Sequence, residues 1–214
     1  LAEQVAGNNE AHHSYPLKMG HEAAGEIVEV GKNVTGFKVG DKVMSFGWYN
    51  TMADYFVAPV VSNGYGVVKV PEGMSMEAAS LGEPTACAIY AGMQSGVELG
   101  DTVVVVGVGF AGQVITQVVK RMGAAKVICV DIVDGKLELA KKMGADIVLN
   151  PDKDDVVAKV LEETNNQGAD VVIEVAGNDT AIQLCSDVLK HGGIMGLYSW
   201  VLEPAKLFIN RWHN

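Results

Sequence analysis

The sequence predicts an α/β protein in which a smaller β-rich lobe precedes a doubly wound parallel sheet. Three observations support this fold class. Residues 1–85 contain short apolar runs broken by glycine, whereas residues 86–214 alternate strand-length and helix-length apolar segments. A glycine-rich turn joins the first strand of the second part to a helix. We therefore expect two domains, with a hinge helix across a boundary near residues 85–100.

Four apolar runs in the first lobe have the length of strands, and glycines at turn positions separate them. The predicted strands are 26–30, Lys42–Phe46, 55–58 and 67–70. Short strands at this spacing indicate a small β-rich lobe.

The second part consists of consecutive β-α-β units, which build parallel sheets. Thr102–Val106 is a continuous β-branched run, typical of a strand buried on both faces. The other predicted strands are Lys126–Val130, Ile147–Leu149, 171–175 and 194–198, with helices over 111–122 and 136–143 and near 154–164 and 179–190. These strands make a nearly complete doubly wound sheet.

The turn after Thr102–Val106 reads Gly-Val-Gly-Phe-Ala-Gly, residues 107–112, and matches the G-x-G-x-x-G dinucleotide-binding pattern. The first glycine permits the tight turn, the second lets the backbone approach a pyrophosphate, and the third lets the helix pack on the strand. The helix N-terminus adds N–H groups and partial positive charge. A glycine-rich turn without a ligand is the alternative.

Asp131 ends the next strand, about 20 residues after Gly112. A carboxylate there accepts hydrogen bonds from the adenosine ribose and repels the extra phosphate of NADP, so we expect NAD; an ordinary acidic strand end is the alternative. The candidate cofactor-binding residues are Gly107, Gly109, Phe110, Ala111, Gly112, Asp131, Lys136, Val175, Ala176, Leu197, Tyr198 and Cys87.

A second motif, Met-Gly-His-Glu-Ala-Ala-Gly, occupies residues 19–25, and Gly-Asp-Lys-Val follows at 40–43. Together with Ser-Leu-Gly-Glu-Pro at 80–84 and the glycine motif, these segments resemble the zinc-dependent medium-chain alcohol and polyol dehydrogenases, in particular their sorbitol-dehydrogenase-like branch. The resemblance runs over essentially the whole chain. It implies a Rossmann domain after part of a GroES-like lobe, and hydride transfer between NAD and an alcohol or polyol, or a ketone or aldehyde in reverse.

The resemblance also implies one catalytic zinc ion; the lack of any cysteine between His21 and Glu83 predicts that the structural zinc is absent. By position His21 is the histidine ligand, Glu22 binds the ion or lies just behind the ligands, and Glu83 is the glutamate that precedes proline in the sorbitol-dehydrogenase-like branch. His21 and Glu22 are therefore the catalytic candidates. Imidazole, carboxylate and water suit an open zinc site. A histidine satisfied within the core is the alternative for His21.

Three features depart from the family. The cysteine ligand expected upstream of His21 is absent, no cysteine lies between His21 and Glu83, and the chain stops at Asn214, before a further family strand. We therefore expect a chain truncated at both ends that binds zinc weakly or not at all, because no thiolate is present. We expect a homo-oligomer at full length.

Composition narrows the possible partners. The net charge is −10, which disfavours nucleic acid and anionic membrane surfaces, and no 18-residue apolar run is present. The odd set of widely spaced cysteines, Cys87, Cys129 and Cys185, argues against a disulfide framework and for the cytoplasm.

Several residues keep two interpretations. His12 and His13 are expected to be a solvated loop pair rather than ligands, and Trp48-Tyr49 lines a substrate pocket or packs in the core. Cys87, four residues after Glu83, forms a small wall beside the nicotinamide or packs the hinge.

Two other functions compete with the dehydrogenase. A zinc-free quinone or enone reductase is disfavoured by His21, Glu83 and Asp131. The missing cysteine keeps a non-catalytic NAD-binding or scaffold protein open as the other alternative.

Overall fold

The computed structural model describes residues 19–47, 50–59, 66–202 and 204–207. The chain divides into two compact units, Leu1–Ala86 and Cys87–Asn214. The interpretations of His12, His13, Trp48 and Tyr49 concern positions outside the described residues.

The first unit contains a three-stranded antiparallel sheet in the order β1 (Ala24–Glu26), β2 (Lys42–Phe46), β3 (Gly66–Lys69). Ala24 pairs with Met44 across the first ladder, and Val43 pairs with Lys69 across the second. The helix α1 (Met76–Ser80) follows, and its N-cap Ser75 accepts a hydrogen bond from the Ala78 amide, an interaction typically contributing about 1 kcal/mol. The predicted β-rich lobe and the bounds of β2 are confirmed.

Two predicted strands of this lobe are wrong as drawn. The strand over 26–30 ends at Glu26, and residues 55–58 form no strand. Several apolar side chains of these segments face solvent, with Val28 60% exposed, Tyr55 75% and Val57 91%, and no residue of either segment is fully buried. An apolar run predicts a strand most reliably where one of its faces is buried in a core.

The second unit is built on five parallel strands in the order β6-β5-β4-β7-β8. The strands are β4 (Thr102–Val106), β5 (Lys126–Val130), β6 (Ile147–Leu149), β7 (Ala169–Glu174) and β8 (Leu189–Leu197). The helices are α2 (Gly82–Gln94), which contains the division between the units, α3 (Phe110–Met122), α4 (Asp134–Met143), α5 (Val156–Glu163) and α6 (Asp179–Val188). The predicted doubly wound Rossmann sheet is confirmed.

The core of this unit lies on both faces of the central strands. Val103 and Val105 pack on one face, Val104 and Val106 on the other, and all are almost fully buried. Each valine removed from water in this way contributes about 1.5–3 kcal/mol. This two-sided burial is why β4 is a continuous β-branched run.

The strand order creates a switch point at the centre of the sheet. The chain leaves β4 towards β5 and β6 on one side, then returns to β7 and β8 on the other side. In such sheets ligands bind in the crevice beyond the carboxyl ends of the strands at the switch point. Among the described residues, no helix has the length and apolar character to cross a membrane.

Candidate functional site

A cluster of one imidazole and two carboxylates lies in the first unit. His21 Nε2 is 3.8 Å from Glu22 Oε1 and 3.8 Å from Glu83 Oε2. The three ligand atoms lie within 4.8 Å of one another. Glu22 is largely exposed, whereas the side chains of His21 and Glu83 are more than four-fifths buried. The three predicted metal-site residues therefore lie together, although 62 positions separate Glu83 from His21.

The histidine segment is held against β2 by a residue that the sequence motif did not indicate. Ser45, almost fully buried, donates its hydroxyl to the His21 carbonyl at 2.9 Å and accepts from the Ala23 amide at 3.1 Å. The Ser45 amide also donates to the Ala23 carbonyl at 2.8 Å. Because both sides of the Glu22 peptide unit are bonded to one strand, the His21–Glu22 turn has a fixed backbone.

Glu83 is positioned by the start of α2. Gly82 begins the helix directly against β2, and a Cβ atom there would overlap the Met44 sulfur. Glycine at 82 thus allows the first turn of α2, which carries Glu83, to approach the strand that also holds His21. Ser45 is buried and bonds the His21 segment, whereas its neighbour Met44 lies against Gly82. Successive residues of β2, which point to opposite faces of the sheet, therefore hold the two parts of the cluster.

The donor set of the cluster fits zinc. Zinc accepts imidazole nitrogen and carboxylate oxygen at about 2.0–2.2 Å, which places neighbouring tetrahedral ligands roughly 3.4 Å apart. The two separations of 3.8 Å approach this value, so small side-chain rotations would allow a shared ion. Three protein ligands leave a fourth position for water or substrate, as in catalytic zinc sites.

The glycine-rich turn lies at the switch point of the second unit. Gly107 has φ +93°, and a Cβ atom there would lie 2.8 Å from the Ala176 nitrogen and 2.9 Å from the Val175 carbonyl carbon. Only glycine fits this conformation and this approach. The turn after β4 therefore rests directly on the backbone after β7.

The other two glycines of the motif have different surroundings. A Cβ atom on Gly112 would collide with the Gly107 carbonyl oxygen, so this glycine closes the turn against α3. Gly109 is the N-cap of α3, with no side-chain cap bond, and space beside it is open for 4 Å. An open approach to a helix N-terminus is the arrangement that accepts a phosphate.

Asp131 follows β5 and is tied to this turn. Its Oδ2 atom accepts from the Val108 amide at 2.9 Å, and its Oδ1 atom accepts from the Val133 amide at 3.0 Å. Lys136 Nζ lies 3.8 Å from Asp131 Oδ2. Carboxylate oxygens each have two lone pairs, so capacity remains for ribose hydroxyls.

Gln113 is a second clamp on the turn that the motif did not indicate. Its side-chain amide donates to the Val108 carbonyl at 2.9 Å and to the Lys136 carbonyl at 2.8 Å. With Asp131 on the Val108 amide, both polar groups of Val108 are bonded. The glycine turn and the start of α4 are thereby held together.

Most of the remaining cofactor candidates lie at the start of α3 or at the carboxyl ends of β7 and β8. Phe110 and Ala111 form the first turn of α3. Four others lie where β7 and β8 end, at the same edge of the sheet as the glycine turn: Val175, Ala176, Leu197 and Tyr198. Cys87 lies in α2 and is exposed.

Both units of the chain match known dehydrogenase domains. Residues 99–213 match the family described as zinc-binding dehydrogenase, and residues 2–72 match the alcohol dehydrogenase GroES-like domain. D-guloside 3-dehydrogenase of Escherichia coli (strain K12) is 37% identical over 90% of this chain, and sorbitol dehydrogenase of Bacillus subtilis (strain 168) is 33% identical over 86%. The chain spans 54% and 60% of the lengths of these two relatives.

Solved structures show the same fold. The 2R,3R-butanediol dehydrogenase of Bacillus subtilis is 29% identical with a TM-score of 0.74, over 93% of this chain and 63% of that one. A zinc-dependent alcohol dehydrogenase from Streptococcus pneumonia has a TM-score of 0.81 at 24% identity, over 98% and 67%. The chain belongs to the zinc-binding, medium-chain alcohol and polyol dehydrogenase family.

Proposed function

We propose that this protein is an NAD-dependent oxidoreductase that transfers a hydride between the cofactor and an alcohol or polyol at a single catalytic zinc ion. The observation that carries the proposal is the meeting of His21, Glu22 and Glu83 within 4.8 Å in a chain that also holds an open dinucleotide turn. The named dehydrogenase relatives support the substrate class.

The zinc residues have distinct tasks in this proposal. His21 and Glu83 hold the ion with largely buried side chains, and the exposed Glu22 joins them as a ligand or steadies the water beside them. Ser45 keeps the His21 backbone in place. A zinc ion bound there supplies Lewis-acid chemistry that lowers the pKa of a substrate hydroxyl. We propose no structural zinc, because the four-cysteine lobe that would hold it has no counterpart between His21 and Glu83.

The cofactor residues orient the dinucleotide. The N-terminal amides of α3 receive the pyrophosphate beside Gly109, and Asp131 receives the adenosine ribose hydroxyls. Asp131 is the reason for proposing NAD over NADP, because its carboxylate repels a 2′-phosphate. Lys136, 48% exposed beside Asp131, weakens this repulsion without removing it, because its charge is solvated.

Isotope transfer tests the proposed reaction. The protein is incubated with zinc, NAD⁺ and a panel of secondary alcohols and polyols deuterated at the carbinol carbon. We expect mass spectrometry to find NADH carrying one deuterium and the matching ketone, with the hydroxyl proton released to solvent. Reduction that persists unchanged in a strong chelator would favour a zinc-free reductase, and binding of NAD without any transfer would favour a non-catalytic protein.

A substitution at Cys87 tests whether its side chain borders the nicotinamide ring. If its thiol borders the nicotinamide, Cys87→Phe should weaken NADH binding or slow hydride transfer at least tenfold, a change of about 1.4 kcal/mol. The melting temperature should stay near that of the parent, because the exposed position tolerates a larger side chain. Unchanged binding and turnover with a lowered melting temperature would assign Cys87 to hinge packing instead.

We also propose that the protein is cytoplasmic and that it forms a homo-oligomer at full length. Cys129 and Cys185 are buried, and burial raises the pKa of both thiols, that of Cys129 to about 12. Buried thiols of this kind are inert and persist in a reducing compartment. The acidic surface supports small-molecule substrates rather than nucleic acid or membrane as partners.

A further inference from the structure

A fully buried carboxylate stands at the carboxyl end of β7. Glu174 has no exposed surface, and its Oε1 atom accepts from the Ala176 and Gly177 amides, both at 2.7 Å. Its Oε2 atom accepts from the Ser199 hydroxyl. The carboxylate thus bonds its own loop and the segment that follows β8.

Burial of this group requires a reason other than core stability. An isolated buried carboxylate costs several kcal/mol, and well-packed apolar residues often replace buried charged groups without loss. Its strand neighbours Val172 and Ile173 are apolar and buried, as a central parallel strand requires. Glu174 is therefore the one fully buried charged residue in β7, and the partners of its carboxylate all belong to the segments that follow β7 and β8.

The two loops also touch. Gly177 has φ +78°, and a Cβ atom there would lie 3.3 Å from the Trp200 carbonyl oxygen and 3.4 Å from Ser199 Cβ. Gly107 of the glycine turn rests on the backbone of Val175 and Ala176. Glu174 consequently bonds a backbone segment that contacts the glycine turn on one side and the end of β8 on the other.

The strand order indicates which half of the cofactor this wall meets. Asp131, the ribose residue, follows β5, which lies on one side of β4. The pyrophosphate turn follows β4 itself, and β7 and β8 lie on the opposite side. A dinucleotide that crosses the switch point from β5 therefore brings its nicotinamide half to the ends of β7 and β8.

We propose that Glu174 and Ser199 are a positioning pair that fixes the ends of β7 and β8 as one wall for the nicotinamide half of the cofactor. The inference rests on the proposed function and deepens it. The pair does not contact the cofactor itself but fixes the positions of Val175, Ala176 and Tyr198. The Tyr198 amide also donates to the Glu174 carbonyl at 3.0 Å.

Two ligands separate a positioning role from a structural one. Calorimetric titration of Ser199→Ala should show a roughly tenfold weaker Kd for NADH, because one charge-assisted bond is lost. ADP-ribose, which lacks the nicotinamide ring, should bind within about twofold of the parent, because the glycine turn and Asp131 are untouched. Ser199→Thr keeps a hydroxyl and should restore most of the NADH affinity.

Ser95→Ala is the matched control. Ser95 is buried in the same unit and donates its hydroxyl to the Gly92 carbonyl at 2.6 Å, within the helix end that precedes β4. We expect both Ser95→Ala and Ser199→Ala to lower the melting temperature by a few degrees, but Ser95→Ala to leave both ligand affinities unchanged.

Two results with Ser199→Ala would overturn the inference. Parent-like NADH affinity in Ser199→Ala would show that the pair positions nothing, and an equal loss for NADH and ADP-ribose would show a purely structural role. Glu174→Gln, which keeps an oxygen acceptor, should give the same selective loss if Ser199→Ala expresses poorly. Failure of the parent to bind either ligand would instead refute the proposed function and the inference with it.

Discussion

Gly109→Val is expected to abolish detectable NADH binding while leaving the fold intact. The space beside Gly109 is open for 4 Å, and its φ of −67° suits any residue. A valine side chain fills the path by which a pyrophosphate reaches the N-terminus of α3. We expect calorimetry to show at least a 100-fold loss in NADH affinity, about 2.7 kcal/mol, with a melting temperature within a few degrees of the parent.

Variants at two other glycines serve as controls for this experiment. Gly135→Ala lies in open space on α4 and should change neither property by much. Gly107→Val should unfold or strongly destabilise the second unit, because a Cβ atom would lie 2.8 Å from the Ala176 nitrogen at a positive φ. If Gly109→Val kept parent-like NADH affinity, the phosphate would bind elsewhere and the assignment of this turn would be wrong.

His21→Ala is expected to eliminate zinc binding and leave cofactor binding unchanged. Zinc affinity of the parent, measured by competition with a chromogenic chelator, should be weak, because one imidazole and two carboxylates include no thiolate. Loss of the imidazole should reduce that affinity more than about tenfold, the least effect seen for residues behind a ligand. NADH affinity should be unaltered, since His21 belongs to the first unit and the glycine turn to the second.

His191→Ala is the matched control, because His191 is an exposed imidazole on β8 of the second unit. It should leave zinc affinity as in the parent. Equal zinc affinity in His21→Ala and His191→Ala would mean that the ion binds at other groups. Loss of NADH affinity alongside zinc would make His21 a structural residue of the fold.

The fold was predictable where local pattern and burial agree. β4 and β5 have buried apolar residues along most of their length and on both faces, and β6 has one at its end, Leu149. Residues 55–58 have a similar apolar pattern but form no strand, and Tyr55 and Val57 are largely exposed, so the pattern alone predicted a strand wrongly. The start of β8 was also missed, because Leu189–Gly193 contains Lys190 and His191, and pairing with Ala169 across an irregular register holds it.

The candidate site was predictable only where a motif spells out its chemistry. His21, Glu83 and the glycine turn belong to contiguous patterns with known ligands. Ser45 and Ser199 are isolated serines whose partners lie more than 20 positions away, so their roles depend on strand pairing that no local pattern encodes. A glutamate that directly follows the apolar run Val-Val-Ile at the end of a strand, as Glu174 does, is the one signal that would have indicated the buried carboxylate.

The central claim is that the carboxyl edge of the five-stranded sheet is an NAD site selected by Asp131. Calorimetric titration of the protein with NADH and NADPH tests it most directly, with Asp131→Ser beside the parent. We predict saturable one-to-one binding of NADH, tighter than NADPH by about 1–3 kcal/mol, and a narrowed difference in Asp131→Ser. Equal affinities of the parent for the two nucleotides, or no saturable binding of either, would contradict the account.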